Sequence, residues 1–170
     1  MTAEEFTQVY NEYADMVYRV SLFILGQKED AEDIVQQTFT KLYQHSPIFS
    51  VENQRKTWLI KTAKNAAYDL LKCAENKKRL WEDGTETADG QVQHTYEEPE
   101  AVISGSDVLL QGLETEYRLP LYLFYYEEYS TKEIAEILKI SEMTVRTRLS
   151  RGRKKLKKLL GGTGNDDCKV

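Results

Sequence analysis

Four arginines stand close together near the C-terminal end of the chain, at positions 146, 148, 151 and 153. A guanidinium group can bind both acceptors of a guanine edge, and a threonine or serine hydroxyl can bind a base or a phosphate. Val145 and Leu149 are four residues apart and would form the buried side of the same helix. The pattern predicts a DNA-reading helix with an outer face made of Thr144, Arg146, Thr147, Arg148, Ser150, Arg151, Arg153 and Lys154.

The residues before this helix predict how it is held. Ser130 and Glu133 form a capping box, which starts a short helix. A turn at 139–141 follows, and Ser141 can cap the DNA-reading helix. Lys139 would take a left-handed conformation in this turn at a cost of about 1 kcal/mol. The spacing favours a helix-turn-helix, although a structural helical hairpin with a basic exterior would share it.

A second set of polar residues lies on a predicted helix that runs from about Asn53 toward Arg79. Lysines on this helix can follow phosphates, and an asparagine can donate to and accept from a base edge. Helical spacing places the set on one stripe, opposite Leu59, Ala63, Ala66 and Leu70. The stripe consists of Lys61, Lys64, Asn65 and Lys72.

An acidic and amide-rich group marks the helix before it. Thr2 and Glu5 form a capping box for the first helix, which Gly26 ends, and Asp30 can cap the second. Acidic residues at a helix N-terminus also stabilise its dipole, so this alone explains part of the pattern. The second interpretation is that the group is a protein-binding face. Its members are Asp30, Glu32, Asp33, Gln36 and Gln37.

Charge is segregated along the chain although the net charge is only -5. Basic side chains outnumber acidic ones in 55–80 and 129–160, and residues 81–110 contain no lysine or arginine. Because charges act through local patches, two basic blocks can bind nucleic acid in an acidic protein; they could also be two solvated helix faces. We predict an all-α fold with two small helical domains, 1–80 and 111–160, joined by a flexible acidic linker, 81–110, with a disordered tail, 161–170.

Several classes of protein are disfavoured. The two cysteines and the isolated His45 and His94 offer no metal site or disulfide scaffold, and no glycine-rich phosphate loop is present. We therefore expect no enzyme activity, no cofactor and no metal. No apolar run approaches about 18 residues and the N-terminus is acidic, so we expect a cytoplasmic protein without membrane insertion.

These motifs, taken in order, resemble bacterial sigma factors of the extracytoplasmic-function (ECF) group. Tyr122–Tyr126, Ser130–Leu138 and Thr144–Arg153 look like the group's C-terminal promoter-binding domain. Asp30–Phe39 looks like its polymerase-binding segment. Trp58 and Leu59, with Asn65 and Asp69, look like the helix that reads the minus-10 element.

The resemblance implies a protein that binds core RNA polymerase, directs it to promoter DNA and is held inactive by an anti-sigma factor. The C-terminal domain would read the minus-35 duplex through the outer face of its second helix. The N-terminal domain would hold the minus-10 element as a single strand, with Phe49 in the loop at 45–54 as a stacking partner. The acidic and amide group would bind the polymerase.

Two other functions remain open at this point. A stand-alone helix-turn-helix repressor or activator would be a dimer that binds palindromic sites. A protein-binding adaptor would leave the basic outer face unexplained. The sigma interpretation also predicts weak, salt-sensitive promoter binding by the free chain, because two weak DNA-binding units gain avidity only when their geometry is fixed.

Overall fold

A computed structural model of the chain describes residues 1–45, 47–82 and 109–161, with the backbone alone at 76–82. Within these ranges the regular structure is helical, as predicted. The helices are α1 (Ala3–Leu25), α2 (Lys28–His45), α3 (Glu52–Glu82), α4 (Thr115–Tyr125), α5 (Thr131–Leu138) and α6 (Glu142–Leu160). Of the predicted linker, 81–110, residues 83–108 lie outside the described residues, 81–82 form the end of α3, and 109–110 are helical. Of the predicted tail, 161–170, the structure describes residue 161 only.

The first helix begins and ends where the sequence predicts. Thr2 accepts a hydrogen bond from the Glu5 amide at 3.2 Å, and the Glu5 carboxylate accepts one from the Thr2 amide at 2.8 Å. Gly26 closes the helix with a φ of 75°. Glycine suits this position because a side chain would strain the left-handed conformation.

Helices α1, α2 and α3 pack around one apolar core. Two predictions about this unit are wrong in detail. Asp30 does not cap α2, because the helix already starts at Lys28 and Asp30 lies in its first turn. Leu70, expected on the buried side of α3, is 37% exposed, because Leu71, four residues after the buried Ala67, takes the inward position instead and packs against the core. Residues that form the core are Val17, Val20, Phe23, Ile34, Phe39, Leu42, Leu59, Ile60 and Ala63.

The predicted helix-turn-helix is confirmed in α5 and α6. Ser130 accepts a hydrogen bond from the Glu133 amide at 3.3 Å, and Ser141 accepts one from the Thr144 amide at 3.1 Å. Lys139 takes the expected left-handed conformation, with a φ of 56°. Val145 on α6 is completely buried, which orients the helix.

Helix α4 packs against the buried side of α6. Pro120 lies in the middle of α4, a position where proline interrupts or kinks most helices. Proline has no amide hydrogen, so the Glu116 carbonyl loses its usual helical donor. Helix α6 lies close against α4 at Gly152, where an added Cβ would lie 2.8 Å from Leu121 Cδ1 and 3.2 Å from Tyr117 Cβ.

The N-terminal and C-terminal helices pack against each other directly. The ring of Tyr122 on α4 lies 5.1 Å from the ring of Phe23 on α1, and both side chains are buried. A single hydrophobic core therefore continues from one unit into the other. None of the described helices is long and apolar enough to cross a membrane.

Candidate nucleic-acid interface

The outer face of α6 is the more open of the two basic surfaces. Val145, Leu149 and Gly152 are buried, so they form the inward side of α6. Thr144 and Arg148 are half-buried. The other six predicted residues are exposed: Arg146, Thr147, Ser150, Arg151, Arg153 and Lys154.

Intramolecular contacts orient part of this face. Glu142 Oε1 accepts hydrogen bonds from Arg146 Nε at 3.1 Å and from Arg146 Nη2 at 2.7 Å. The hydrogen bond from Arg146, followed by one from Thr131, lowers the pKa of the Glu142 carboxyl. Arg153 Nη1 donates to the Tyr125 hydroxyl at 3.3 Å. The guanidinium of Arg146 is thus held near the start of α6, while its side chain stays 70% exposed.

The stripe on α3 differs from the sequence expectation. Asn65 and Lys72 are exposed and Lys61 is half-buried, but Lys64 is only 5% exposed. Its ammonium donates a hydrogen bond to the carbonyl oxygen of Ile137, on α5, at 3.0 Å. The four residues therefore do not form one open stripe, because α5 covers its middle.

Phe49 lies in the segment between α2 and α3 and is half-buried. Its ring meets the ring of Trp58 edge-on, with centroids 6.1 Å apart. The guanidinium of Arg55 lies 5.8 Å from the Phe49 centroid. Phe49 also lines a cavity of about 460 Å³ beside the start of α1. An aromatic ring held next to a cation and a cavity can accommodate a stacked planar group.

The predicted protein-binding group lies along one exposed side of α2. Asp30 is half-buried near the start of the helix. The other members, Glu32, Asp33, Gln36 and Gln37, are exposed, while Ile34 and Val35 between them are buried. Their side chains therefore face away from the core and are available to another molecule.

Sequence reasoning missed two features that depend on long-range packing. An apolar cavity of about 580 Å³ opens between α4 and α6, where it is lined by Leu121, Tyr125, Leu156 and Leu160 with Arg153 and Lys157 at its edge. The contacts of Lys56, Thr57 and Lys64 with the C-terminal helices were also unforeseen. The cavity could have been suspected from Tyr125 and Leu160, two large apolar residues near the C-terminal basic block. No local sequence feature indicates the contacts of Lys56, Thr57 and Lys64 with the C-terminal helices.

Within the described parts of the chain, no group of histidine, cysteine and acidic side chains is arranged to hold a metal ion. The candidate surfaces thus consist of basic, acidic, amide and hydroxyl side chains on helices, with one aromatic side chain in the segment between α2 and α3. They define a helical protein with a helix-turn-helix at one end and a second polar helix face beside it.

Comparison with known proteins identifies the family. Residues 9–76 match the family Sigma-70 region 2, and residues 107–156 match Sigma-70, region 4. The chain is 31% identical over 171 residues to the ECF RNA polymerase sigma factor SigM of Bacillus subtilis, covering 98% of this chain and 100% of SigM. It is 34% identical to SigW of the same organism, covering 92% of this chain and 89% of SigW. The chain belongs to the ECF RNA polymerase sigma factors.

Solved structures agree on the fold. The sigma factor RpoE of Bartonella quintana, crystallised with the anti-sigma factor NepR, superposes with a TM-score of 0.67 at 21% identity, covering 95% of this chain and 100% of RpoE. CnrH, solved in complex with the cytosolic domain of CnrY, gives a TM-score of 0.60 at 20% identity, covering 96% of this chain and 92% of CnrH. The fold is therefore that of a two-region sigma factor, as the sequence resemblance implied.

Proposed function

We propose that this chain binds core RNA polymerase and directs it to promoters as a transcription initiation factor without catalytic activity. The observation that carries the proposal is the pairing of both sigma regions in one chain. A stand-alone helix-turn-helix regulator would have no use for region 2. The alternation of basic and acidic surfaces supports this assignment.

The minus-35 duplex is assigned to the outer face of α6. An α-helix fits the major groove, and exposed guanidinium and hydroxyl groups at its N-terminal half can contact base edges. The exposed basic residues further along α6 suit phosphates, which fix the register of the helix. The assigned residues are Thr144, Arg146, Thr147, Arg148, Ser150, Arg151, Arg153 and Lys154.

The minus-10 single strand is assigned to α3 and the segment before it. Lysines follow the backbone of a single strand, and aromatic rings stack on its bases. The ring of Phe49, next to the cavity described above, is the stacking partner in this proposal. The assigned residues are Phe49, Lys61, Lys64, Asn65 and Lys72.

The exposed side of α2 is assigned to core polymerase, through Asp30, Glu32, Asp33, Gln36 and Gln37. Carboxylate and amide groups that face away from the core can pair with basic and polar groups of a partner. We also infer that an anti-sigma factor restrains the protein, as NepR and CnrY are bound to the two structural neighbours. The site of action is the cytoplasm, where promoter DNA and polymerase meet.

The first experiment is sizing chromatography of the purified chain with bacterial core RNA polymerase that lacks sigma, followed by run-off transcription. Co-elution at micromolar concentration and a promoter-dependent transcript are expected. A folded chain that does not co-elute would contradict the proposal. A dimer peak in the same run would favour the stand-alone regulator instead.

A further inference from the structure

Glu142 is the first residue of α6, and one of its carboxylate oxygens accepts three hydrogen bonds. Two come from Arg146, one turn further along α6, through Nε at 3.1 Å and Nη2 at 2.7 Å. The third comes from the hydroxyl of Thr131, the first residue of α5, at 2.7 Å. The carboxylate therefore joins the two helices of the helix-turn-helix where both of them begin.

The bond from Thr131 makes this contact different from an ordinary surface ion pair. An exposed ion pair between residues four apart is held weakly, because solvent screens it and both side chains can move. Thr131 is half-buried, and its β-branched side chain has few rotamers. A stiff donor from another helix thus fixes the carboxylate, and the carboxylate fixes the guanidinium of Arg146.

The way in which Arg146 is held leaves one edge of its guanidinium open toward a ligand. A guanidinium carries five N–H donors in one plane. Glu142 takes the Nε proton and one Nη2 proton. The second Nη2 proton and a neighbouring Nη1 proton form another edge of the plane, and two such donors match O6 and N7 of guanine.

A simpler role for Glu142 is that of an acid at a helix N-terminus, where it stabilises the helix dipole. That role accounts for a carboxylate in the first turn of α6, but it needs neither Thr131 nor Arg146. The hydrogen bonds from Arg146 and then Thr131 lower the pKa of the Glu142 carboxyl, so they favour its ionised form. The convergence of both helices on one oxygen indicates a second role.

We propose that Glu142, anchored by Thr131, is a positioning residue that sets the guanine preference of Arg146 at the minus-35 element. The inference rests on the proposed function, because it takes Arg146 to be a minus-35 contact. Glu142 acts through the guanidinium and does not touch the base. A held guanidinium loses less conformational freedom on binding, whereas a released one reaches phosphates, which carry no sequence information.

Removal of the carboxylate should therefore change affinity and discrimination in opposite directions. Loss of an acidic charge and release of the guanidinium both add attraction to phosphates, so total affinity should rise. A bidentate contact between arginine and guanine discriminates between bases by roughly fivefold to a hundredfold. We expect Glu142→Ala to lower the preference for one guanine by about tenfold and to steepen the salt slope by about 1.

Glu142→Gln separates position from charge, because it removes the charge and keeps an oxygen that can accept from Arg146 and Thr131. It should gain affinity as Glu142→Ala does, yet keep most of the guanine preference. Thr131→Val removes the anchoring hydroxyl and keeps the side-chain shape, so the preference should fall; Thr131→Ser should retain it. Glu136→Ala is the matched control, since it removes an exposed acid from α5.

The test uses the full-length chain bound to core polymerase. Selection from a randomised duplex library by the natural complex gives its preferred minus-35 sequence. Each guanine of this sequence is then replaced by 7-deazaguanine, which lacks the N7 acceptor, and competition binding gives the ratio of affinities. The natural and Glu142→Gln complexes should lose about tenfold at one guanine, and Glu142→Ala should lose much less there.

The Arg146→Ala background shows whether Glu142 acts through this arginine. Addition of Glu142→Ala to Arg146→Ala should leave the 7-deazaguanine ratio unchanged, because both substitutions disable one contact. Glu136→Ala should keep the ratio of the natural complex. A role confined to the start of α6 would lower the midpoint of thermal unfolding and leave every ratio as it is.

A natural ratio in Glu142→Ala, or a loss of preference in Glu142→Gln as large as in Glu142→Ala, would overturn the inference. So would a natural complex that tolerates 7-deazaguanine at every position. If circular dichroism shows that Glu142→Ala is unfolded, Thr131→Val against Thr131→Ser decides. Run-off transcription by the natural chain tests the proposed function separately: its failure would remove that function, whereas normal transcription with unchanged ratios would remove only the role of Glu142.

Discussion

Lys64 and Ile137 are joined by a hydrogen bond of 3.0 Å although they are 73 residues apart in the chain. The bond satisfies a buried ammonium with a single carbonyl oxygen, at the C-terminal end of α5. An ammonium group carries three donors, so this contact solvates the Lys64 ammonium less well than water would. The contact therefore links the arrangement of the two units to the state of one proposed DNA-binding residue.

Lys64→Met should separate the two roles of this lysine. Loss of the hydrogen bond to Ile137 is offset by removal of a desolvated charge, so we expect the free energy of unfolding to change by less than about 1 kcal/mol. Binding of the minus-10 strand by the polymerase complex should weaken, and its salt slope should fall by about 1. Urea unfolding and anisotropy titrations at several salt concentrations measure both.

Lys132→Met is the control for Lys64→Met, because Lys132 is an exposed lysine outside every proposed contact set. It should leave both strand binding and salt slope unchanged. Strand binding by Lys64→Met that matched the control would exclude Lys64 from the minus-10 contacts.

Arg146→Ala should alter promoter choice at the minus-35 element. The guanidinium lies on the exposed side of α6 near its start, where Glu142 orients it. We expect a loss of about 1–3 kcal/mol of discrimination at one or two base pairs. Competition binding of the polymerase complex to duplexes with single substitutions measures this.

Lys158→Ala removes a cation from the far end of the same helix and is the comparison for Arg146→Ala. It should weaken binding uniformly, if at all, because phosphate contacts do not distinguish sequences. An unchanged base preference in Arg146→Ala would mean that α6 enters the groove with a different face.

Gly152→Ala should destabilise the C-terminal unit. Alanine favours a helix by about 1 kcal/mol over glycine, but overpacking costs about 1–3 kcal/mol. The added methyl would meet Tyr117 Cβ at 3.2 Å, and this atom cannot move without shifting α4. The steric cost should exceed the gain in helix propensity, so the midpoint of thermal unfolding should be lower than that of the natural chain.

Gly112→Ala gives the matched comparison, since its added carbon would lie 3.4 Å from Leu159 Cδ1 and 3.5 Å from the Leu109 carbonyl. These are ordinary contact distances, so the midpoint should hardly change. A midpoint for Gly152→Ala at or above that of the natural chain would show that α4 and α6 can move apart freely.

Local features of the fold could be predicted from the sequence. A capping box needs residues only three apart, so Thr2 with Glu5 and Ser130 with Glu133 specify helix starts by themselves. The buried side of α6 could be predicted too, because helical spacing relates residues that are only three or four positions apart. Lys139 was also foreseeable, because the turn between two crossing helices required its left-handed conformation.

The burial of Lys64 could not be predicted in this way. Helical periodicity correctly separated the polar side of α3 from the side that carries Leu59 and Ala63. It could not show that α5, supplied by a distant part of the chain, would cover the polar side. The helix that runs through Pro120 also depends on packing, because the buried side chains of α4 stabilise a helix that intrinsic propensity would interrupt.

Asp33→Lys should weaken the binding of core polymerase. Asp33 and Glu32 are exposed on α2, whereas the next two residues, Ile34 and Val35, are buried. Replacement of Asp33 should therefore leave the core intact. Reversal of one charge in a polar contact should reduce affinity by about 2–5 kcal/mol if the carboxylate is buried in the complex. Titration of labelled core polymerase measures the change.

Glu136→Lys makes the same change in charge at an exposed position of α5, away from the proposed polymerase surface. It should keep the affinity of the natural chain. Circular dichroism should show equal helix content in both variants. Wild-type affinity in Asp33→Lys would remove this side of α2 from the polymerase interface.

The capping box at the start of α5 should make stability depend on pH. Hydrogen bonds from the Ser130 hydroxyl, at 2.7 Å, and from its amide, at 2.9 Å, lower the pKa of the Glu133 carboxyl below its ordinary value of 4.5. A lowered pKa in the folded state means that the stabilising contribution is present above pH 4.5. It is lost as the pH falls through the lower, folded-state pKa.

Glu133→Gln keeps a side chain that can accept the same hydrogen bond but cannot titrate. Urea unfolding at pH 7 and at several values below pH 4.5 should therefore show a shallower loss of stability in this variant than in the natural chain. Glu5 and Glu142 also have lowered pKa values but are unchanged in both proteins, so the difference reports Glu133 alone. Ser130→Ala, which removes the hydroxyl partner, should cost about 1 kcal/mol at pH 7. Identical pH profiles for Glu133→Gln and the natural chain would mean that the carboxylate charge contributes nothing to the start of α5.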